Sequence, residues 1–386
     1  MTPIVVRAGF AAVVALWASA VTLRSFGAPH GPGEDGTAPV APRLLSETGL
    51  FLADGTTIDP KNRAYVPQYP LWSDGAKKRR WIRLPEGSTI DTTNVDRWEF
   101  PIGTRFWKEF AFDGRRVETR FLWKAQQGRW VFASYAWNDA QTEAVRAPDA
   151  GVANVAEVAP GKRHSIPGVA DCRSCHDSGR TEILGFDALQ LSSDRDPNAI
   201  HGEPIEPGMV TVRTLVEERR VAPARTAWLT APPRIQAPDP LTRTALGYLS
   251  TNCGSCHNPS SSIASLGLFL KHQASAECNA ALATSVCRTG HWVVPTAPDG
   301  ESKIINPGHP ELSALVVRVR SRRPASQMPP IGSVVVDREA VDVLTAWIGG
   351  RAIMSECERD RSATSASPSR ASTRSSGSTG TSLVVR

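Results

Sequence analysis

The chain has 386 residues, of which 41% are hydrophobic, and a formal net charge of +6, so it is long enough for two or three globular domains. We expect no nucleic-acid partner, because neither a basic helix nor an aromatic–basic module accompanies this mild charge. The dense basic run Lys77-Lys78-Arg79-Arg80 is typical of a solvated face, with a docking patch for an acidic partner as the alternative.

The N-terminus predicts export. Within residues 1–28, an apolar run, AGFAAVVALWASAVTL, lies between Arg7 and Arg24 and contains Ala18-Ser19-Ala20, a small-residue cleavage site. This length and shape are those of a secretory signal peptide, and an uncleaved membrane anchor is the alternative. Either segment places the rest of the chain in the periplasm, free or attached to the inner membrane.

Residues 44–165 have a β pattern. Asp113-Gly114 joins RFWKEFAF (105–112) to RRVETRFLW (115–123), and Gln127-Gly128 leads into RWVFASYAW (129–137). Asp-Gly between alternating runs favours a hairpin. We therefore predict a three-strand antiparallel meander within an N-terminal antiparallel β domain, with its tryptophans in the core.

From residue 166 onward, short helical patterns, loops and cysteines replace the β pattern. The pattern Cys-x-x-Cys-His occurs at residues 172–176 and again at 253–257. Two thiols at this spacing add to the vinyl groups of one haem, and the adjacent histidine binds its iron. The sequence therefore predicts two c-type haems, each with two cysteine attachments and one axial histidine: Cys172, Cys175 and His176 for the first, and Cys253, Cys256 and His257 for the second.

Two other uses of paired cysteines are less suited to these motifs. Zinc ribbons place their Cys-x-x-Cys pairs about 15–20 residues apart, whereas Cys175 and Cys253 are much farther apart. A thioredoxin-like dithiol needs a βαβ setting, and neither motif has one.

The first motif lies in a segment, 166–238, that offers no clamped methionine. For the sixth ligand of its iron we favour His164, just upstream in GKRHSIPG. His201, Met209 and an open or water-bound position are the alternatives. A lone histidine is more often a surface or hydrogen-bonded residue than a ligand.

The second motif follows a predicted helix, and another helix closes the region. Asp239 and Pro240 start LTRTALGYLS, and Asp337 caps REAVDVLTAWI. Gly247 beside Tyr248 is expected to let the last helix cross closely, with Trp347 as the natural partner on that helix. Between the helices, QMPPIG holds Met328 in a stiff extended loop.

This order of elements resembles a small class I cytochrome c domain over about residues 239–352. The resemblance implies that Met328 supplies the sixth ligand of the iron on His257. Met209 and Met354 are the rival methionines, one far upstream and the other past the last helix.

The remaining cysteines and the tail carry fewer predictions. Cys278 and Cys287 are expected to form a disulfide in an oxidising compartment, which leaves Cys357 without an explanation. Residues 356–386 are rich in serine, threonine and arginine, and we expect them to be disordered.

A wider resemblance covers most of residues 45–350. YPLWSDGAKKRRWIRLPEG (69–87), FPIGTRFWKEF (100–110), the two haem motifs and the terminal QMPPIG are similar to a family of mostly uncharacterised bacterial proteins that join an N-terminal β domain to a dihaem cytochrome c region. The implied fold class is α+β, with the β domain followed by a mostly α-helical dihaem region. The implied activity is electron transfer between redox partner proteins.

Two alternatives remain open. One is a peroxidase-like dihaem enzyme, with substrate at the first haem and the Met328 haem as electron relay. The other is a β domain that binds a ligand or partner while the haems sense redox state. No nucleophile triad, P-loop or dinucleotide fingerprint is present in the sequence, and we predict no catalytic residue.

Overall fold

The computed structural model describes residues 38–177, 183–274, 279–350 and Ile353. Antiparallel strands dominate its first half. Eleven strands lie within the described residues: β1 (Arg63–Ala64), β2 (Lys77–Arg83), β3 (Ile90–Asn94), β4 (Arg97–Glu99), β5 (Arg105–Phe112), β6 (Arg115–Gln126), β7 (Arg129–Trp137), β8 (Ala144–Arg146), β9 (Val152–Ala159), β10 (Lys162–Ile166) and β11 (Val221–Ala222).

The principal sheet has the strand order β1-β2-β5-β6-β7-β8, and each neighbouring pair is antiparallel. The predicted meander is confirmed as β5, β6 and β7. Asp113 and Gly114 both have positive φ, 47° and 78°, which matches the twist that a two-residue hairpin turn needs. A short β9–β10 hairpin leads directly to the first cysteine motif.

Each face of this sheet packs against a different core, because side chains alternate along a strand. On one face, Trp107 and Phe121 pack with their ring centroids 5.6 Å apart. On the other face, Phe106 and Phe132 join a core that includes Phe186 from beyond the first motif. The strands and the first cysteine segment therefore share buried apolar surface.

Six α-helices lie in the described part of the chain: α1 (Val169–His176), α2 (Val212–Glu217), α3 (Pro240–Asn252), α4 (Ala280–Ser285), α5 (Ala314–Arg320) and α6 (Arg338–Gly349). Most of them are only two turns long. The predicted α+β class, with a mostly α-helical dihaem region, is therefore wrong: antiparallel sheet predominates, and the later region is largely turns and loops.

Proline residues explain much of the low helix content of this later region. The segment between α2 and α3 contains Pro223, Pro232, Pro233 and Pro238, and the loop before α5 is also proline-rich. A proline has no backbone N–H to donate and its ring clashes with the preceding turn of a helix. The prolines around the cysteine motifs, and not the motifs themselves, therefore decide how much helix forms there.

The two longest predicted helices are confirmed as α3 and α6. The Asp239 carboxylate accepts a hydrogen bond from the Thr242 amide at 2.9 Å, and the Asp337 carboxylate accepts one from the Ala340 amide at 3.2 Å. Leu249 and Trp347 bury their side chains in a shared core.

The predicted role of Gly247 is wrong. A Cβ at this position would lie 2.1 Å from the ring of Tyr69, so the glycine admits that tyrosine rather than a crossing of α6. Tyr69 belongs to the YPLWSDG string, which therefore packs directly on α3.

Several predictions fall outside the described residues. They concern the signal peptide or anchor at 1–28, Met354, Cys278, Cys357 and the tail at 356–386. Among the residues that are described, no helix is long and apolar enough to cross a membrane.

Candidate functional site

The first motif forms a short helix of its own. Cys172, Cys175 and His176 lie three and four positions apart in α1, so they share one helical face. The Gly168 amide donates to the Asp171 carboxylate at 3.0 Å, which fixes the start of the helix. All three motif side chains are half-buried, and a flat ligand can therefore reach them from the same side.

The helix rests against β7 of the principal sheet. The His176 ring lies 5.1 Å from the Phe132 ring, measured between centroids. The Arg173 guanidinium lies 5.5 Å from the centroid of the same ring. The sheet thus supports the proposed iron-binding histidine.

The second motif begins where α3 ends. Cys253 caps the helix, and its carbonyl accepts hydrogen bonds from the amides of Cys256 at 3.1 Å and His257 at 2.9 Å. A Cβ on Gly254 would lie 2.4 Å from the Ser250 carbonyl oxygen. Only glycine therefore fits this tight turn, which brings both cysteines and the histidine close together.

The structure brings the two motifs together. A hydrogen bond between the thiols of Cys175 and Cys256, with burial as the next cause, raises the pKa of Cys175 far above its usual value. Burial and the neighbouring Cys256 raise the pKa of Cys253 to about 12. The motifs are separated by α2 and α3 in sequence, yet their second cysteines are in contact.

His257 is partly buried, which favours its neutral form. Burial and the charge of Arg318 lower its pKa, and the Leu268 carbonyl partly opposes them. Its Nδ1 is buried and forms no hydrogen bond of normal geometry with the described residues.

The Met328 loop is held by Arg318 of α5 and by Arg322 just after it. The Met328 amide donates to the Arg318 carbonyl at 3.0 Å, and Arg322 donates to the Met328 carbonyl at 3.3 Å. Since the same Arg318 acts on the His257 ring, α5 links the methionine loop to the second motif.

His164 lies in a buried ionic cluster. Its Nε2 is 3.1 Å from the Glu118 carboxylate, and its Nδ1 is 3.7 Å from the Asp74 carboxylate. Glu118, fully buried, also pairs with Arg120 at 2.7 Å. Burial acts to lower the pKa of His164, but the hydrogen bonds to Asp74 and Glu118 outweigh it and raise that pKa.

The two rival ligands also have other contacts. His201 lies 3.0 Å from Asp337 and 3.4 Å from Glu339, and its ring packs on Trp72. The Met209 sulfur accepts a hydrogen bond from the Glu206 amide at 3.4 Å. His201 therefore joins the start of α6 to the YPLWSDG string.

Sequence reasoning missed the role of Asp74. Its carboxylate accepts hydrogen bonds from the Val334 and Val335 amides, both at 2.8 Å, while it also faces His164. Asp74 thus joins the segment before the first motif to the segment after Met328. The signal in the sequence was its place in WSDG, where a positive φ of 54° suits Asp beside Gly.

Comparisons of the chain with protein-family models, with curated proteins and with solved structures give no match. Within the described ranges, no group of three or more His, Cys, Asp or Glu side chains is arranged to hold a bare metal ion. Cys287 is disulfide-bonded, while the proposed partner Cys278 lies outside the described residues.

Proposed function

We propose that the chain is an extracytoplasmic dihaem c-type cytochrome that passes electrons between redox partner proteins. The observation that carries this proposal is the contact between Cys175 and Cys256. Two Cys-x-x-Cys-His patterns far apart in the sequence meet in space. A two-centre electron carrier needs its centres close together, and contact between the attachment points provides that.

The residues at both motifs suit a covalent haem. Cys172, Cys175 and His176 share one face of α1, and the turn after α3 gathers Cys253, Cys256 and His257. Each set supplies two thiols for attachment and one imidazole for iron. A haem bound at each motif supplies one-electron redox chemistry at its iron.

Met328 is proposed as the second axial ligand at the His257 site. Its loop is fixed through Arg318 and Arg322, and Arg318 lies close enough to lower the pKa of His257. A thioether ligand raises the reduction potential of a haem that has one histidine. The two sites would then differ in potential, which gives electrons a direction.

The proposed location is the periplasm, free or anchored through residues 1–28. A disulfide-bonded Cys287 supports an oxidising compartment. The apolar N-terminal run supports export. Redox partners would then be periplasmic or membrane-attached proteins.

Haem attachment is the step to test first. Intact-mass spectrometry of the exported protein should show two haem groups that survive extraction with acidic acetone. Replacing Cys172 and Cys175 together by alanine should remove one of them, and replacing Cys253 and Cys256 should remove the other. A protein that carries one haem, no haem, or zinc on these cysteines contradicts the proposal.

A second candidate function is a peroxidase-like redox enzyme with substrate at the first haem. The candidate sixth ligands already have other partners, which favours this function. An atom of each that could bind iron is in a hydrogen bond with another residue: His164 with Glu118, His201 with Asp337 and Met209 with Glu206. Catalysis at a metal needs an open or easily displaced position. An oxidised protein with one high-spin iron that binds cyanide quickly and turns over peroxide would support the enzyme. Two low-spin irons that resist cyanide would support the carrier.

A further inference from the structure

Three cations lie in a row across the principal sheet. Arg80 on β2 is directly opposite Lys108 on β5, and Lys108 is directly opposite Arg120 on β6. Cβ atoms of such partners lie about 4.5–5.5 Å apart on the same face, and like charges there repel one another. The fold therefore places basic side chains directly opposite one another, an arrangement that destabilises a sheet when it has no compensating anion.

The nearby carboxylates balance only part of this charge. Arg80 pairs with Glu203 at 2.9 Å, and Arg120 pairs with Glu118 at 2.7 Å. Among the described residues, no carboxylate lies within 4.0 Å of the Lys108 ammonium, which lies 4.9 Å from the centroid of the Phe110 ring.

Lys78 adds a fourth cation to the same face. It precedes Arg80 by two positions, and its ammonium donates to the Leu71 carbonyl at 2.7 Å. Burial and the charge of Arg80 lower its pKa to about 7. Among the described residues, neither Lys78 nor Lys108 has a carboxylate within 4.0 Å, whereas Arg80 pairs with Glu203 and Arg120 pairs with Glu118. Burial and the neighbouring Arg80 also lower the pKa of Lys108 well below its usual value.

The row ends at the first cysteine motif. Arg120 is opposite Ser134 on β7, and the Ser134 hydroxyl lies close enough to the Cys172 thiol to act on its pKa. The charge of Arg120 also acts on both Cys172 and Cys175. The row of basic side chains therefore ends next to the attachment point of the proposed first haem.

We propose that Lys108 and Arg120, with Lys78 and Arg80 beside them, form the carboxylate-binding site for the two propionate groups of the haem on Cys172 and Cys175. This inference rests on the proposed function. The two propionates would give Lys78 and Lys108 the carboxylate partners that they lack among the described residues. Hydrogen bonds between ionised partners are shorter and stronger than neutral ones, and an unpaired buried charge is costly.

Reduction potentials of the complete, haem-loaded protein test this site. In Lys108→Met, which removes the charge and retains the length, the potential of the first haem should shift to lower values, because lost positive charge favours oxidised iron. Lys77→Met is the matched control, since Lys77 is exposed and points to the opposite face of β2. Lys108→Arg should keep the potential near that of the wild type. The Met328→Ala variant identifies which of the two potentials belongs to the second haem.

The results of these measurements distinguish a failure of the propionate site from a failure of the proposed cytochrome function. An unchanged potential in Lys108→Met with both haems attached overturns the propionate site and leaves the cytochrome intact, whereas a wild type without covalent haem overturns the cytochrome itself. Loss of the first haem in Lys108→Met but not in Lys108→Arg supports a charge requirement, and loss in both contradicts it. A wild-type potential that shifts on adding inorganic phosphate would assign the row to a soluble anion and overturn the proposal.

Discussion

Some residues have a role that their neighbours in the sequence reveal. Others have a role that depends on residues far away in the sequence. Cys-x-x-Cys-His predicts haem attachment from five residues, and QMPPIG restrains Met328 through two adjacent prolines. Both could be identified from sequence alone. The surroundings of His164 could not, because Asp74 reaches it from the turn before β2 and Glu118 reaches it from β6.

Met328→Ala tests the proposed ligand of the second iron. The weak long-wavelength absorption band of iron–sulfur ligation in the oxidised protein should disappear, and the potential of that haem should fall. Met209→Ala is the control, because the Met209 sulfur accepts a hydrogen bond from the Glu206 amide. If Met209→Ala removes the band and Met328→Ala leaves it, the ligand is misassigned.

His164 leads to a prediction about pH. Its pKa in the folded protein is raised by Asp74 and Glu118, above the unfolded value of about 6.5. The imidazolium therefore stabilises the fold fully below about pH 6.5, and this contribution is lost as the pH rises through the folded-state pKa. Arg120 and His164 hold the pKa of Glu118 low despite its burial, so Glu118 stays ionised across this range.

The measurement is the free energy of unfolding of wild type and His164→Gln in urea. The variant should lose more stability at about pH 5.5 than at about pH 8.5. His309→Gln, at an exposed histidine beside Glu311, should show little difference at either pH. A larger loss at the higher pH would mean that His164 acts as a neutral group, which is the form that binds iron.

At the scale of elements, the sequence predicted those helices and strands whose ends are marked by turn or cap residues. Asp-Gly marked the β5–β6 hairpin, and the aspartate caps marked α3 and α6. The loop-rich region between α3 and α6 contains less helix than predicted, because a Cys-x-x-Cys-His pattern requires no particular amount of helix around it. Covalent attachment and iron ligation can hold a loop-rich segment that has little helix of its own.

Gly247→Ala tests the packing of Tyr69 on α3. The new methyl group would lie 2.1 Å from the Tyr69 ring, so either the ring or the helix must move, at a cost of about 1–3 kcal/mol. Gly349→Ala is the matched control, because nothing lies within 4 Å of its added Cβ. Urea unfolding followed by tryptophan fluorescence gives both values. Equal stabilities of the two variants would show that Tyr69 does not press on the helix.

At the scale of the whole molecule, the fold brings together segments that no local pattern connects. The string from Tyr69 to Gly75 packs on α3, binds the chain after Met328 through Asp74 and contacts His201 through Trp72. The two cysteine motifs meet beside the cationic row. Such contacts depend on the path of the entire chain, so the two motifs can be found in the sequence but their contact cannot be predicted from it.

Contact between the two motifs is the central claim, and electron paramagnetic resonance of the fully oxidised protein tests it most directly. Two ferric irons held side by side interact magnetically. The spectrum of the wild type should therefore differ from the sum of the spectra of Cys172→Ala/Cys175→Ala and Cys253→Ala/Cys256→Ala, each of which retains one haem. A wild-type spectrum equal to that sum would place the irons apart and contradict the account.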